Sequence, residues 1–229
     1  NTISAKNIKS FFERYVMTDV FGEGCGHRRA ANFDSSLVAD VLDPIPYFDI
    51  EEKTTRPVWI TIDVPRNTVP GNYFGKIIID AKNQKEKVIQ VQLKVQDKTL
   101  PEPSEWDYHL DLWQNPFAVA RYHSVDLWSE KHFELLRPLM VMLANAGQKC
   151  ITSSIMYRPW GGQTFDHFES LIKWKKNLKG TWSFDYSEFD NWVNFAMDCG
   201  ITEQINCYTM IPWGNQFTFY DESIGKDTT

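Results

Sequence analysis

Three short stretches of this sequence carry side chains suited to gripping a small polar molecule: Asp111-Leu112-Trp113-Gln114-Asn115-Pro116, Tyr157-Arg158-Pro159-Trp160-Gly161-Gly162 and Pro212-Trp213-Gly214-Asn215-Gln216. Each sets a tryptophan beside amide, hydroxyl or guanidinium groups, which pair with hydroxyls while the indole face covers C–H bonds. That combination fits a sugar better than a phosphate or a nicotinamide. The expected substrate-binding residues are therefore Asp111, Trp113, Gln114, Tyr157, Arg158, Trp160, Trp213 and Asn215. One tryptophan of this kind more often packs a core than meets a ligand; recurrence in three stretches favours the ligand.

Asp111 is the one carboxylate here placed for acid or base work, against a plainer reading in which it bonds Arg158 or a backbone amide. Glu51-Glu52 and Asp221-Glu222 look like carboxylate pairs, but neighbours on an extended strand point to opposite faces, so both are expected in solvated loops. No residue of this chain is expected to be catalytic. His109, His123, His132 and His167 are scattered, with His132 expected on a helix surface. His27 lies near Cys25 without further ligands at metal-binding spacing, so a structural or surface role is expected there, and neither a metal nor a cofactor. Gly22 to Gly26 lacks the strand-to-helix junction and GK[ST] of a phosphate loop, and no nucleophile elbow occurs.

Composition narrows the partners. The net charge of −6 comes from acidic and basic residues mixed along the chain. With no basic stripe to neutralise phosphates, nucleic acid is not an expected partner. No apolar run nears the roughly 20 residues that cross a bilayer. Aromatic residues make up 14%, nine of them tryptophan, more than a core needs, which again points to sugar stacking. No protein partner is inferred. Cys25, Cys150, Cys199 and Cys207 form no CxxC pair and read as structural thiols. The chain opens on Asn1 with no basic or apolar leader segment, so any targeting segment is expected outside it.

These residues need elements to hold them, and the two halves of the chain differ in period. From Phe11 to Gln96 apolar residues alternate, as in Val58, Ile60, Ile62 and Val64, and in Ile89, Val91, Leu93 and Val95. A hairpin is expected between Tyr73–Ala81 and the latter run, and the whole of 1–99 reads as an antiparallel β-sandwich. Residues 22–57, rich in Gly and Pro, read as long loops with short strands. The polar segment Asp97 to Pro103, with two prolines, marks a boundary.

Residues 104–229 change to strand, helix, strand, helix, strand. Tyr108–Trp113 reads as a strand. Ser129 caps a helix running to Ala146, with Pro138 expected to kink it and Gly147 at its end; Lys149–Met156 is the next strand. A second helix is expected from Ser187, in a capping-box-like arrangement with Asp190, to Gly200. Ala146-Gly147-Gln148-Lys149-Cys150-Ile151 and Cys199-Gly200-Ile201-Thr202-Glu203-Gln204-Ile205 are helix, glycine, strand junctions 53 residues apart. Such βα units in series imply a parallel sheet. Phe168–Asp185 reads as an inserted hairpin, Ile172 and Trp174 facing Trp182 and Phe184. The fold class is thus a β-sandwich followed by the first three βα units of a (β/α)₈ barrel. A complete barrel takes about 250 residues, and 104–229 supply 126. The barrel is therefore expected to continue beyond Thr229, and the sheet to show an open edge here.

The motifs in order resemble glycoside hydrolase family 123: Phe12-Glu13-Arg14-Tyr15-Val16-Met17, Gly24-Cys25-Gly26-His27-Arg28, Val41-Leu42-Asp43-Pro44-Ile45, Thr55-Arg56-Pro57-Val58-Trp59-Ile60-Thr61-Ile62-Asp63-Val64-Pro65, Pro70-Gly71-Asn72-Tyr73-Phe74-Gly75, His109-Leu110-Asp111-Leu112-Trp113-Gln114 and Met210-Ile211-Pro212-Trp213-Gly214-Asn215. The resemblance implies a secreted bacterial enzyme of the periplasm, cell surface or exterior, which cleaves terminal β-linked N-acetylgalactosamine from glycans. It implies substrate assistance: the 2-acetamido oxygen attacks the anomeric carbon, an Asp orients that amide, and an adjacent Glu is the general acid, unlike the usual two-carboxylate scheme. That Asp-Glu pair lies on a later barrel strand and matches no residue here, so this chain alone is expected to be inactive. The alternatives are a non-catalytic carbohydrate-binding or scaffold module, and a family relative with another sugar as substrate.

Overall fold

The computed structural model describes residues 2–20 and 34–229. The Gly24–Arg28 motif, with Cys25 and His27, lies outside the described residues. The chain divides into two compact units, Asn1–Leu100 and Pro101–Thr229.

In the first unit β1 (Ile8–Val20), β2 (Asp34–Asp43) and β3 (Val58–Ile62) form an antiparallel sheet in the order β2-β1-β3. A register shift between Arg14 and Tyr15 breaks the β1–β2 ladder. The strands β4 (Gly71–Ile79) and β5 (Lys87–Val95) pair as the expected hairpin, Tyr73 opposite Leu93 and Ile77 opposite Ile89. Ile60 and Ile62 on one sheet and Tyr73, Ile77, Val91 and Leu93 on the other line one cleft of about 360 Å³. The alternating side of each strand thus faces the opposite sheet, as in a small sandwich. Five strands cover this cleft only partly: no described residue of the unit is fully buried. β2, ten residues long, exceeds the short strands expected among long loops there. Its half-covered positions are Ala39, Val41 and Asp43, while Leu37, Val38 and Leu42 are exposed, so hydrophobicity does not follow the alternation by which the strand could be recognised.

Among the described residues, all the buried apolar ones belong to the second unit. In chain order its elements are α1 (Pro116–His123), α2 (Glu130–Asn145), β6 (Cys150–Ser154), β7 (Lys173–Lys176), β8 (Trp182–Asp185), α3 (Ser187–Asp198), β9 (Gln204–Tyr208), β10 (Phe219–Asp221) and β11 (Lys226–Thr228). β6 and β9 are parallel, Thr152 opposite Asn206. Ile151 of β6 packs with Leu136 and Met140 of α2 and with Trp192, Phe195 and Ala196 of α3. Gly147 and Gly200, with φ of +87° and +102°, end α2 and α3 and turn the chain into β6 and β9. An L side chain rarely adopts that conformation, which is why glycine recurs at this interval. Ile205 and Cys207, on the face of β9 that corresponds to Ile151, are exposed.

The expected first strand is not a regular one. Leu110 makes a single parallel bridge to Gln148, and beyond it the ladder runs through side chains. The Leu112 N–H donates to Gln148 Oε1 (2.9 Å), and Gln148 Nε2 donates to the Cys150 carbonyl (2.7 Å). Gln114 continues the pattern, accepting from the Thr152 N–H (2.8 Å) and donating to the Cys150 and Leu112 carbonyls.

Two helical details differ from expectation, in α1 and α3, while α2 follows it. α1 was not expected, although Asn115 caps it by accepting from the Ala118 N–H (3.1 Å) and Pro116 sits at its first position. α2 starts at the Ser129 cap and contains Pro138. α3 is capped from outside: Asp185 Oδ1 accepts from the Ser187 N–H (2.9 Å) and hydroxyl (2.5 Å), so the Ser187–Asp190 capping box does not form.

His132, expected on a helix surface, is wholly buried. Its Nδ1 accepts from the Trp128 N–H (3.1 Å), and its Nε2 therefore donates to the Pro116 carbonyl (2.9 Å). The inserted hairpin is present, with Trp174 facing Phe184, but Trp182 faces Lys176, and Ile172 precedes the strand. β10 pairs in parallel with β7, giving a four-stranded sheet β11-β10-β7-β8. Asp221 and Glu222 are accordingly not a free loop pair: Asp221 is buried and ion-paired with Lys176 (3.5 Å), and Glu222, still partly exposed, pairs with Lys175 (2.9 Å).

Candidate functional site

Contacts rather than strand alternation place Asp111 and Trp113 beside Asn206 and Tyr208, which with Cys150 share the face of the parallel pair opposite Ile151 and the helices. Asn206 Nδ2 donates to Asp111 Oδ2 (2.7 Å); Asp111 Oδ1 is buried without a hydrogen-bond partner. Arg158 is not its partner. The Arg158 guanidinium turns back to the Gly161 carbonyl of its own loop (3.2 Å), and Arg158 has a left-handed backbone, φ +50°. Burial first, then the negative charge of Asp111, pushes the Tyr208 phenol and the Cys150 thiol up, so both are neutral at physiological pH. Cys150 Sγ contacts His109 Nε2 at 3.3 Å.

Above this polar layer lie three rings. Trp113 and Trp160 stack with centroids 4.9 Å apart and planes inclined by 29°, and Tyr208 packs against both, at 4.9 and 5.3 Å. The division of labour follows from exposure: Trp160 is 5% exposed and backed by Phe168, whereas Trp113 is 54% exposed. Trp113 thus offers an indole face to solvent while Trp160 supports it from behind.

The remaining expected residues separate. Gln114 is buried with its amide spent on the sheet, and Tyr157, partly exposed, follows the end of β6. Trp213 and Asn215 are exposed on the loop after β9. The Trp213 N–H donates to the Pro159 carbonyl (3.0 Å), which ties that loop to the one carrying Arg158. Asn215, φ +50°, closes its own turn by donating its N–H to Pro212. Asn206 and Tyr208 escaped the sequence reading. Their signal was the alternation with Ile205 and Cys207, which puts them on the face opposite those apolar residues.

Among the described residues no three His, Cys, Asp or Glu side chains cluster closely enough to hold a metal, and no helix is long and apolar enough to cross a membrane.

Two family models match the chain: the glycoside hydrolase 123 catalytic domain over residues 113–229, and the glycoside hydrolase 123 N-terminal domain over residues 1–81. Among solved structures, a family 123 glycoside hydrolase from Clostridium perfringens, studied for the details of glycolipid glycan hydrolysis, is similar with a TM-score of 0.90 and 31% identity. The match covers 99% of this chain and 40% of that one, so the chain spans less than half the length of this relative. No curated protein matches. The class these findings define is that of the glycoside hydrolases. Within it, the chain belongs to family 123, as its ordered motifs indicated.

Proposed function

We propose that the protein to which this chain belongs is a β-N-acetylgalactosaminidase. It removes terminal β-linked N-acetylgalactosamine from glycans with retention, the substrate's own acetamido oxygen acting as nucleophile. The parallel segments at Leu110, β6 and β9 are the first part of a (β/α)₈ barrel. The amide-orienting Asp and the acid Glu stand on a later strand, outside these 229 residues. The protein acts in the periplasm, at the cell surface or outside the cell, where polymeric glycans are met.

The observation that carries the reading is the pairing of an exposed indole at Trp113, backed by Trp160, with the carboxylate–amide pair Asp111–Asn206 at the ends of parallel segments in a family 123 chain. Ligands of parallel α/β folds gather at such ends. An aromatic floor over hydrogen-bonding groups matches a pyranose with one apolar face.

The test is hydrolysis of p-nitrophenyl N-acetyl-β-galactosaminide by this chain and by a longer polypeptide continuing past Thr229. Cleavage by the longer form alone is the expected result. Failure of both, together with retained binding of N-acetylgalactosamine, points instead to a carbohydrate-binding module. Turnover by the short chain refutes the downstream placement and returns attention to Asp111.

A further inference from the structure

Two separate connections, the insertion between β6 and α3 and the segment after β9, converge to build the sheet β11-β10-β7-β8. Both leave from the carboxyl ends of the parallel strands, the end that carries the candidate site. The ion pairs Lys175–Glu222 and Lys176–Asp221 join the two connections, and the Ile155 carbonyl just past β6 accepts from the Trp174 indole (2.8 Å) and the Ser170 hydroxyl (3.0 Å). The sheet is thus fastened to the strand ends.

It carries a groove of about 820 Å³ whose lining includes Tyr157, just past the end of β6 and one of the expected sugar-contacting residues. Five rings line it: Tyr157, Trp174, Phe184, Phe219 and Tyr220. Three of these, Tyr157, Phe184 and Tyr220, are between 37% and 44% exposed. Its charged lining consists of Lys173, Lys175, Glu169, Asp185, Glu188 and Asp227, an excess of carboxylates. Both lysines are already ion-paired, Lys173 with Glu188 (3.0 Å) and Lys175 with Glu222 (2.9 Å), so they are poor receptors for a further anion.

We propose that this groove binds the sugar units next to the terminal residue of the glycan, and that it selects neutral oligosaccharides over sialylated or sulfated ones. The inference rests on the glycan reading of the strand-end site and adds to it a second contact region. The rings supply stacking faces at intervals along an extended ligand, and unpaired carboxylates accept from hydroxyls. The same carboxylates repel acidic sugars. A volume of about 820 Å³ lies within the usual range of a binding cleft, above what one monosaccharide fills.

The test is calorimetric titration of the full 229-residue chain with N-acetylgalactosamine and with a neutral tetrasaccharide bearing it at the non-reducing end. The tetrasaccharide is expected to bind about tenfold more tightly, an aromatic-stacking gain of ordinary size. Y220A and F184A, at partly exposed positions, should remove that gain without changing the affinity for the monosaccharide; circular dichroism checks that both fold. A sialylated counterpart should lose the gain as well.

Three results would overturn the proposal: equal affinity for the two neutral ligands, a length-dependent gain that survives both substitutions, or affinity for alkyl glycosides that follows alkyl length rather than sugar number. The last would assign the groove to an apolar aglycone. Failure of the strand-end reading is distinguishable, because W113A would then leave monosaccharide binding unchanged while Y220A still lowered the affinity for the tetrasaccharide.

Discussion

Acid should weaken the fold beneath the Trp113 platform through His132, and H132Q should remove that sensitivity. The imidazole is wholly buried, with both nitrogens committed: Nδ1 accepts from the Trp128 N–H, and Nε2–H donates to the Pro116 carbonyl, which opens α1 three residues after Trp113. Protonation turns Nδ1 into a donor facing a donor. It also buries a charge that has no ion-pair partner among the described residues, between the rings of Trp128 and Phe133. Burial accordingly lowers the pKa, against a smaller opposing effect of the Pro116 bond.

The sign follows. A lowered folded-state pKa means that stability from this group is complete above the unfolded value of about 6.5 and is lost as pH falls from there through the folded value. At pH 7.5, H132Q keeps a donor for Pro116 but strands the Trp128 N–H, a loss of about 1–3 kcal/mol for one buried group without its partner. Urea unfolding followed by tryptophan fluorescence should show that deficit at pH 7.5 and a narrower gap at pH 5, because only the wild type then carries the penalty of protonating His132. A gap constant across that range, or one that widens in acid, would refute the assignment of His132 as a buried neutral pin.

Other substitutions read the remaining parts. W113A should lower affinity for N-acetylgalactosamine about tenfold by titration calorimetry; because Trp113 is 54% exposed, its stability cost should be near 2 kcal/mol, about half that of a fully buried Trp→Ala change. Retained affinity in W113A would remove Trp113 from the site. Q114A strands the Thr152 N–H and weakens the pairing of Leu112 with β6, so a loss of about 2–4 kcal/mol is expected in the same urea assay; a loss below about 1 kcal/mol would mean the segment does not depend on that side chain. G147A meets two obstacles, a backbone at φ +87° and a Cβ only 3.1 Å from the Trp106 ring and 3.2 Å from the Pro103 carbonyl, and should cost about 1–2 kcal/mol or more. An unchanged melting temperature for G147A would contradict the glycine argument.

What could be read from the sequence was whatever burial writes as a period. The helices α2 and α3 each bury one face and showed it, the hairpin β4–β5 showed its apolar alternation, and glycine marked the entries to β6 and β9. β2 has half-covered positions at Ala39, Val41 and Asp43, but they are not its most apolar residues, so it left no such mark. His132 misled because a histidine on an amphipathic helix looks alike whether it faces water or a neighbouring backbone carbonyl; only the packing of α1 decides. Asp221 and Glu222 misled for a related reason. Their partners, Lys175 and Lys176, come from a strand more than forty residues away, and the parallel pairing of β10 with β7 has no local mark. In the site, Asp111, Trp113 and Trp160 were found from residue type, whereas Asn206, which donates to the Asp111 carboxylate, is an ordinary amide in an ordinary strand.

Gln114 shows most clearly where residue type stops being informative. A glutamine amide offers one donor group and one acceptor, the pair a peptide unit offers, on a longer reach. Beside a sugar it recognises hydroxyls; here it stands in for the β-ladder, accepting from Thr152 and donating to Cys150. Gln148 does the same one step earlier, between Leu112 and Cys150. Because side chains carry these bonds, the Leu110–Gln114 segment need not keep strand geometry, and Trp113 can meet Trp160 and Tyr208 together. Gln114, next to Trp113 in the chain, therefore acts on the site through backbone placement, and its substitution should disturb stability and affinity together, whereas W113A should weigh more heavily on affinity.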